Sequence, residues 1–393
     1  MRGIRRRIRS FAIIGVFSLV AASCGTSKAA VATSSSSSPN QTIHIGVILS
    51  LTGPVAFAGV EEQDAIKLAI SQINASHLIG PGRTLSAEYL DDMSTQPQAG
   101  ALIRQLVAQP NIVAELGPTI SGTAEVVGPV AQKAGLTMFS VSANSGAIVT
   151  KPGKYVFTAP ITAQQDGQAL ANLMVNHYHY KRVFAVYARD FAGEVVNAQS
   201  VISPLKKLGA SVDVSTVLTA NTDYAPVITQ LRSYHPDAIY MGLNGPQAGS
   251  FMQQAKSLGV SIPAFGMPPT ETPQLISNGG TSVEGMIFPA DYNPALNTAL
   301  NHQFVSAYTA KYGSAPSDYA ALAFSSTYVL AKAISTIKGT ITRTSVQQAL
   351  SASRTYNNVV VGTGKFKFTS QRIGSYTPVF ITVKNGKFVG YTG

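Results

Sequence analysis

The chain offers few side-chain pairs that could support metal or acid–base chemistry. His177 and His179 flank Tyr178 and are the best candidate pair of metal ligands. Residues two apart in a helix point towards different faces, so we expect these imidazoles to be surface groups at a helix end that do not share an ion. Asp91 and Asp92 are adjacent at the expected end of a strand. They fit a helix cap or a hinge contact as well as an acid–base pair.

Motifs that would indicate an enzyme are absent from the 393 residues. The chain has no G-x-x-x-x-G-K-[ST] loop to bind phosphate, no G-x-S-x-G turn and no H-E-x-x-H pair. Gly362-Thr363-Gly364 continues as Lys365-Phe366-Lys367, which lacks the third glycine of a dinucleotide fingerprint. We therefore expect no catalytic residue, no metal and no cofactor. A secreted α/β enzyme is the most remote of the functions considered.

The first ten residues carry a cluster of arginines, namely Arg2, Arg5, Arg6, Arg7 and Arg9. A mostly apolar run from Phe11 to Ala22 follows, and then Ser23-Cys24-Gly25. This order is typical of a secretory signal peptide, which we assign to residues 1–23. As a helix the apolar run would rise about 18 Å, which is too short for a hydrocarbon core of about 30 Å. It is therefore not expected to be a permanent transmembrane anchor.

The chain has one cysteine, Cys24, and it lies at the expected cleavage point. The stretch from Val20 to Cys24 resembles a bacterial lipobox, in which the cysteine carries the lipid and becomes the first mature residue, although Ala21 replaces the usual leucine. We predict that lipidated Cys24 anchors an extracytoplasmic chain to the cell membrane. An ordinary secretory signal followed by a free cysteine is the alternative. Residues 24–41 contain a serine run, Ser34 to Ser38, and are predicted to be a flexible tether.

Lysine and arginine outnumber aspartate and glutamate by 29 to 18, which gives a net charge of +11. Five of these charges belong to the signal-peptide arginines, and +6 remains on the rest of the chain. Lys181-Arg182 and Lys206-Lys207 look like solvated helix ends and lack the interleaved aromatic residues of a nucleic-acid surface. No nucleic-acid partner is expected. A single cysteine also excludes a disulfide within the chain.

From residue 42 onwards, short strand-like runs alternate with amphipathic helical segments. The expected strands are 44–49, 85–90, 112–116, 136–141, 182–188, 211–218, 238–243, 262–266 and 365–368, with a final hairpin that pairs 378–384 with 387–391. The expected helices include 97–109, 123–133, a segment ending near 208, 224–234 and 246–258, and helices dominate from 295 to 353. Gly135, Gly209 and Gly259 each follow a helical segment and precede a strand, as left-handed C′ residues do.

Two βα series followed by a helical return predict an α/β fold with two doubly wound, Rossmann-like lobes. A (βα)₈ barrel is the competing topology, but it would not contain the long helix-only stretch. In doubly wound sheets, ligands bind outside the carboxyl ends of the strands. The segments Thr52-Gly53-Pro54, Gly117–Ser121 and Val141–Ser145 lie at such ends. We expect a binding site there.

Four stretches of the sequence resemble the solute-binding proteins of bacterial ABC importers. They are Ile45–Pro54, Gly59 with the helix through Ile73-Asn74-Ala75, Leu90-Asp91-Asp92 with Gln96-Pro97, and Gly117–Ser121. Their order and spacing are most similar to the branched-chain amino acid (Leu/Ile/Val) binding family, which has the type I periplasmic binding protein fold. The likeness extends from about residue 42 to the end of the chain.

The resemblance implies how the lobes are divided. In this family two lobes are joined by a three-crossover hinge, and the ligand is enclosed between them. The crossings are expected near Pro160, Pro289 and Ser370. Lobe 1 would then comprise residues 42–160 plus 290–370, and lobe 2 residues 161–289 plus 371–393.

The resemblance also implies ligand-binding positions. Ser121 matches the family serine that holds the ligand carboxylate, and its place before a helix equally suits an N-cap. Ala143 and Asn144 match the loop whose backbone meets the polar head of the ligand. Phe57 or Ala58 falls where an aromatic residue covers the ligand. Phe57 and Phe191 could instead be ordinary hydrophobic residues of the lobe surface.

Two departures from the family pattern bear on the ligand. Phe191 occupies the position of a tyrosine that touches the ligand in the amino-acid binders. The carboxylate that pairs with the ligand ammonium should fall near Pro268, where the nearest acid is Glu271, a candidate for this role if the loop is shifted. A buried ammonium without a counter-charge is costly, so the loss of this carboxylate would disfavour α-amino acids. An amide, a carboxylate or an aromatic acid would remain as alternatives. The family cysteine pair is absent as well.

The resulting expectation is an extracytoplasmic lipoprotein that captures a small polar ligand by closing its lobes. The ligand would be an amino acid, an amide or a small carboxylate. The expected partners are an ABC permease and the membrane, reached through the N-terminal lipid, and the chain is expected to be a monomer. A sensory or regulatory receptor domain with the same fold is the alternative function.

Overall fold

The structure is a computed structural model that describes residues 41–391. The predicted signal peptide, Cys24 and the tether up to residue 40 lie outside the described residues. Within residues 41–391, no helix combines the length and the apolar character needed to cross a bilayer.

The first lobe begins with five parallel strands in the order β2-β1-β3-β4-β5. The strands are β1 Gln41–Leu49, β2 Arg83–Asp91, β3 Ile112–Leu116, β4 Thr137–Ser140 and β5 Val156–Thr158. The helices between them are α1 Ala56–Ala75, α2 Gln96–Val107, α3 Ser121–Ala134 and α4 Ala147–Thr150. Strands β3, β4 and β5 are buried along their whole length, as expected of a parallel sheet covered on both faces.

The second lobe repeats the alternation. Its strands are β6 Arg182–Ala188, β7 Ser211–Val217, β8 Ala238–Gly242, β9 Ala264–Phe265 and β10 Ile287–Ala290. Its helices are α5 Ala163–Asn172, α6 Ala192–Lys207, α7 Ala225–Tyr234, α8 Gly245–Ser257 and α9 Pro273–Gly279. A π-helical turn, Leu173–His177, continues α5, and short 3₁₀ segments cover Pro268–Thr270 and Gly280–Val283.

The chain then returns to the first lobe. Three helices pack there, namely α10 Ala299–Tyr312, α11 Asp318–Ser335 and α12 Arg343–Ser351, and α11 lies along α1. A small antiparallel sheet follows, with β11 Tyr356–Asn357, β12 Lys365–Phe368 and β13 Gly374–Ser375. The final hairpin, β14 Val379–Lys384 and β15 Lys387–Gly390, completes the second sheet in the order β15-β14-β10-β9-β8-β6-β7.

Two separate open sheets confirm the predicted pair of doubly wound lobes and exclude the barrel. The left-handed conformations of Gly135, Gly209 and Gly259 (φ 62°, 93° and 76°) confirm the predicted helix ends. The main elements that the sequence analysis left out are α4, β5, α5, α9 and β10. Most of them are short, and the strands β5 and β10 have only three and four residues.

The chain changes sheets three times among the described residues. The first change falls between Thr158 and Ala163, around Pro160, and the second follows Ala290. The third lies between β13 and β14, a few residues beyond the predicted Ser370, because β13 still pairs with β12. Phe368 of β12 packs on Phe139 and Phe157 of the first lobe, at ring-centroid distances of 5.3 and 5.0 Å, and this keeps the small sheet there.

Gly59 fixes the start of α1 against the end of β1. A Cβ atom at this position would lie 2.1 Å from the carbonyl oxygen of Ser50, so no side chain fits. The helix can therefore approach the strand closely, and its first turn carries Phe57 and Ala58 to the carboxyl edge of the sheet.

Candidate ligand-binding cleft

A cleft lies between the lobes at the carboxyl ends of their strands. The first lobe contributes Val55, Phe57, Ala58, Thr119, Ile120, Ser121, Ser142, Ala143, Asn144, Asp318, Tyr319 and Leu322. The second lobe contributes Phe191, Gly193, Glu194, Asn197, Asn244, Pro268 and Pro269, and the connecting segments add Pro160 and Asp291. Five of the six predicted ligand-binding residues line this cleft, and Glu271 does not.

Ser121 is the first residue of α3 and is nearly buried, whereas the sequence analysis had it just before the helix. Its side chain does not cap the helix, whose N-cap residue is Ile120. The Ser121 hydroxyl oxygen accepts a hydrogen bond from the N–H of Ser145 at 3.3 Å. The hydroxyl proton is therefore free to be donated into the cleft.

Ala143 and Asn144 follow β4 and line the cleft, but the backbone of Ala143 is already engaged. Its N–H donates to the Ser140 hydroxyl at 3.1 Å, and its carbonyl accepts from the Thr158 hydroxyl at 2.5 Å. The side-chain amide of Asn144 donates to Oδ1 of Asn197 at 3.1 Å. Because Asn197 lies on α6, this hydrogen bond joins the two lobes directly.

Aromatic side chains enter the cleft from both lobes. Phe57 on α1 meets Tyr319 on α11 edge to face, with ring centroids 6.1 Å apart. Phe191 is the N-cap residue of α6 and comes from the opposite lobe. Phe191 also packs against the hydrophobic core of its own lobe.

Glu271 is placed differently from the expectation. It is 1% exposed and lies behind the cleft, with its N–H bonded to the carbonyl of Pro268 at 3.0 Å and its Oε2 without a partner among the described residues. Burial, with the nearby charges of Asp318, Asp291 and Glu61, raises the pKa of this carboxyl well above its usual range. The short 3₁₀ turn Pro268–Thr270 presents two prolines to the cleft and turns Glu271 away from it.

Three other carboxyl groups line the cleft, each at most 2% exposed. Glu194 lies in the first turn of α6, Asp291 directly follows β10, and Asp318 is the first residue of α11. Asp291 accepts a hydrogen bond from the Tyr376 hydroxyl at 2.5 Å. Besides burial, the charge of Asp291 raises the pKa of Asp318, so the two carboxyls resist ionising together.

Burial dominates the protonation of these three groups. It raises the pKa of Glu194 to about 7, against the opposing hydrogen bond from Asn197. It raises the pKa of Asp291 to about 6 and that of Asp318 well above its usual range, in the second case with help from the Asp291 charge. Oδ1 of Asp318 has no hydrogen-bond partner within residues 41–391.

More acids form a layer behind the lining. Glu62 is fully buried and accepts hydrogen bonds from the hydroxyls of Thr119, at 2.6 Å, and Ser142. Burial raises its pKa to about 8 despite those bonds, and raises the pKa of Glu61, which accepts from Ser317, to about 7. In the part of the chain that the structure describes, no lysine, arginine or histidine lines the cleft, and no three acids, histidines or cysteines are grouped to hold a metal.

The sequence analysis missed Glu194, Asp291 and Asp318. One available signal was the rule that ligands meet the carboxyl ends of strands, since Asp291 directly follows β10. That strand was not predicted, so the rule could not be applied to it. The segment near Pro268 offers no carboxylate to the cleft, and the other three acids line it instead.

Two doubly wound lobes that share a cleft lined from both sides define the class of solute-binding proteins that close around a ligand. Within that class, the chain belongs to the periplasmic binding protein family, whose sequence signature matches residues 42–386. Members of this family are extracytoplasmic.

Proteins similar to this chain are reported with different ligands. The Leu/Ile/Val-binding protein of Citrobacter freundii is 24% identical over 272 residues, which cover 68% of this chain and 72% of that protein. The substrate-binding protein of a branched-chain amino acid transporter from Streptococcus pneumoniae, in complex with isoleucine, has a TM-score of 0.80 and 23% identity over 88% of this chain and 98% of its own. A solute-binding protein from R. palustris, in complex with benzoate, also has a TM-score of 0.80, with 20% identity over 89% and 95%.

Proposed function

We propose that this chain is a lipid-anchored solute-binding protein that captures a small polar solute between its lobes and delivers it to the permease of an ABC importer. The observation that carries the proposal is a cleft lined by buried polar side chains of both lobes and bridged by the hydrogen bond from Asn144 to Asn197. A solute in this cleft contacts Ser121 and Tyr319 on one side and Phe191 and Glu194 on the other. The relatives that bind amino acids and benzoate support solutes of this size.

Closure follows from where those contacts lie. A ligand shifts a conformational equilibrium only by the difference between its affinities for the two states. A solute that touches one lobe would not favour the closed state, whereas one that touches both lobes would. The closed form of the loaded protein is the form that a permease would recognise.

The remaining parts of the proposal concern location and activity. A lipid on Cys24 holds the chain at the outer face of the cytoplasmic membrane or in the periplasm, after a signal peptide has directed its export. The chain acts as a monomer with its permease. It binds its solute without converting it.

The first test is a thermal-shift screen of the full-length chain against amino acids, amides, small carboxylates and small amines. A true solute at about one hundred times its Kd should add about 2.7 kcal/mol of stability and raise the melting temperature. Small-angle scattering with that solute should show a smaller radius of gyration. If no compound in any of the four classes raises the melting temperature, solute binding in the cleft is disproved.

The second test separates transport from sensing. Deleting the gene in its host should abolish uptake of the radiolabelled solute, and the wild-type gene should restore it. The Cys24→Ala chain should be exported but released from the membrane fraction, with reduced uptake. Normal uptake in the deletion strain, despite solute binding in vitro, would replace the transport proposal with the sensory one.

A further inference from the structure

We infer that the solute is a cation, a small alkylammonium compound whose charged nitrogen lies among the cleft carboxyls and whose alkyl groups pack on the aromatic rings. The inference rests on the proposed function and names the chemical class of the solute. It differs from what the relatives are reported to bind, because isoleucine carries a carboxylate beside its ammonium and benzoate carries only a carboxylate.

The first support is the unbalanced charge of the lining. Glu194, Asp291 and Asp318 are nearly buried and face the same cleft, and no basic side chain among the described residues lines it with them. Burying carboxylates without a counter-charge is costly, and such groups are normally paired. In the ligand-free protein, burial disfavours the ionised form of all three groups, and a cationic ligand would supply the counter-charge that stabilises it.

The second support is a specific unpaired atom. Asp318 is 2% exposed, it lines the cleft, and its Oδ1 accepts no hydrogen bond from residues 41–391. Buried polar atoms in folded proteins are nearly always hydrogen-bonded. An ammonium N–H, or the positive methyl groups around a quaternary nitrogen, would satisfy this oxygen.

The third support comes from the rings. Phe57 and Tyr319 meet at nearly a right angle (81°), so together they present two differently oriented surfaces, and Phe191 lines the same cleft from the other lobe. Aromatic faces attract cations, and several faces around one site are how proteins recognise quaternary ammonium groups. Apolar rings alone would suit a neutral hydrophobic solute, but together with buried acids they favour a cation with alkyl substituents.

A ligand carboxylate fits this cleft less well. The hydroxyl of Ser121 and the N-terminus of α3 can hold an anionic oxygen, but both are electrically weak beside several acids. The layer behind the lining, which includes Glu61, Glu62 and Glu271, adds more acids whose pKa values burial holds above their usual range. A bound carboxylate would oppose the ionisation of these acids further, whereas a bound cation would favour it.

The test compares ligands of one shape and different charge by calorimetry on the full-length chain at pH 7.5. Choline is paired with its neutral analogue 3,3-dimethylbutan-1-ol, and 3-methylbutan-1-amine is compared with L-leucine and 4-methylpentanoate. We expect choline to bind about tenfold or more tightly than the alcohol, in keeping with a desolvated cation–π and ionic contact. The amine should bind more tightly than leucine, and 4-methylpentanoate should bind least.

Two variants assign the effect to the cleft. The Asp318→Asn variant should weaken the binding of choline about tenfold and leave the binding of 3,3-dimethylbutan-1-ol unchanged. If that chain folds poorly, Glu194→Gln takes its place and should have the same effect. The exposed Glu125→Gln on α3 removes the same charge outside the cleft and should leave choline binding unchanged.

The results separate this inference from the function on which it rests. If leucine, benzoate or 4-methylpentanoate binds more tightly than every alkylammonium compound, or if no alkylammonium compound binds, the cationic class is wrong and the solute-binding proposal stands. The solute-binding proposal fails only if the wider thermal-shift screen also finds no ligand.

Discussion

Ser121 is the residue at which the family resemblance and the geometry agree most closely. Its hydroxyl accepts from the backbone N–H of Ser145, so the loop after β4 fixes the orientation of the hydroxyl and leaves its proton for a ligand. Ser121 therefore serves to orient a hydroxyl group and does not cap the helix, since Ile120 is the N-cap residue. A short side chain in a nearly buried place can donate only to what enters the cleft.

Replacing Ser121 with alanine should weaken the binding of the solute about tenfold, because a typical hydrogen bond is worth about 0.5–1.5 kcal/mol. Calorimetry with the solute found in the screen measures the change. The exposed Ser277→Ala on α9 is the matched control and should bind as the wild type does. Unchanged affinity in Ser121→Ala would reduce this serine to a support of the loop at Ser145.

Glu62 makes the stability of the ligand-free protein depend on pH. Its pKa is raised from the model-compound value of 4.5 to about 8 by burial, so the folded chain holds this proton more tightly than the unfolded chain does. The contribution of Glu62 to stability is then fully present below about pH 4.5 and is lost as the pH rises through about 8. Glu61 and Glu194, with pKa values raised to about 7, act in the same direction.

We expect Glu62→Gln to flatten this pH profile. Glutamine keeps the shape and an acceptor for Thr119, while Ser142 can accept from its amide and still donate to the carbonyl of Thr119. At pH 8 the variant should be more stable than the wild type by the order of 3 kcal/mol, and at pH 5 the two should be similar. Thermal melts from pH 5 to 8.5 measure this, with Glu125→Gln as the exposed control. A variant that loses stability in parallel with the wild type would show that Glu62 is not the titrating group.

At the scale of elements, the long buried strands were predictable and the short connecting elements were not. Strand β3, with five consecutive buried residues, was predicted with its observed bounds. The bounds of β6 were also predicted correctly. Strand β10 has only four residues and includes Pro289, which argues against a central strand when the sequence is read alone. Its place beside β14 is set by pairing with a segment about ninety residues away, which no local pattern contains.

The acids of the cleft follow the same division. Ser121, Ala143 and Asn144 follow well-predicted strands and could be located by the carboxyl-end rule and the family resemblance. Asp291 follows the strand that was missed. Asp318 begins α11, and only the return of the chain to the first lobe brings it beside Asp291. Long-range packing of this kind cannot be derived from periodicity or capping signals.

Helix α1 depends on Gly59 for its place against β1. In Gly59→Ala the new Cβ would meet the Ser50 carbonyl at 2.1 Å, and backbone cannot give way as a flexible side chain does. We expect a loss of about 2–3 kcal/mol in the free energy of unfolding, as for other overpacked sites, and weaker solute binding because Phe57 moves with the helix.

Gly122→Ala is the control for this change. Its Cβ would come no closer than 3.5 Å to Gln96, and alanine in a helix is favoured over glycine by about 0.5–1 kcal/mol. Chemical denaturation of both variants tests the pair. Equal stability of Gly59→Ala and the wild type would mean that α1 can shift without cost.

At the scale of the whole molecule, a side-chain hydrogen bond joins the lobes without a ligand. The amide of Asn144, after β4, donates to Oδ1 of Asn197 on α6, the helix that also carries Glu194. The bond therefore links closure of the lobes to the helix that presents this acid to the solute site. One neutral hydrogen bond favours closure only modestly. The lobes can therefore reopen, as a protein that releases its solute to a permease requires.

Asn144→Ala should shift the ligand-free ensemble towards the open form. Truncation removes the bridge and leaves Oδ1 of the buried Asn197 without its partner, a combined loss of about 1–2 kcal/mol in the closed state and none in the open state, where water reaches the amide. The radius of gyration of the ligand-free variant should increase, and the Kd for the solute should rise about tenfold, mainly through faster dissociation. Asn176→Ala, which removes an exposed amide on the π-helical turn of the second lobe, should change neither quantity. If the Asn144 variant scatters as the wild type does while its affinity falls, the asparagine contacts the solute directly and does not control closure.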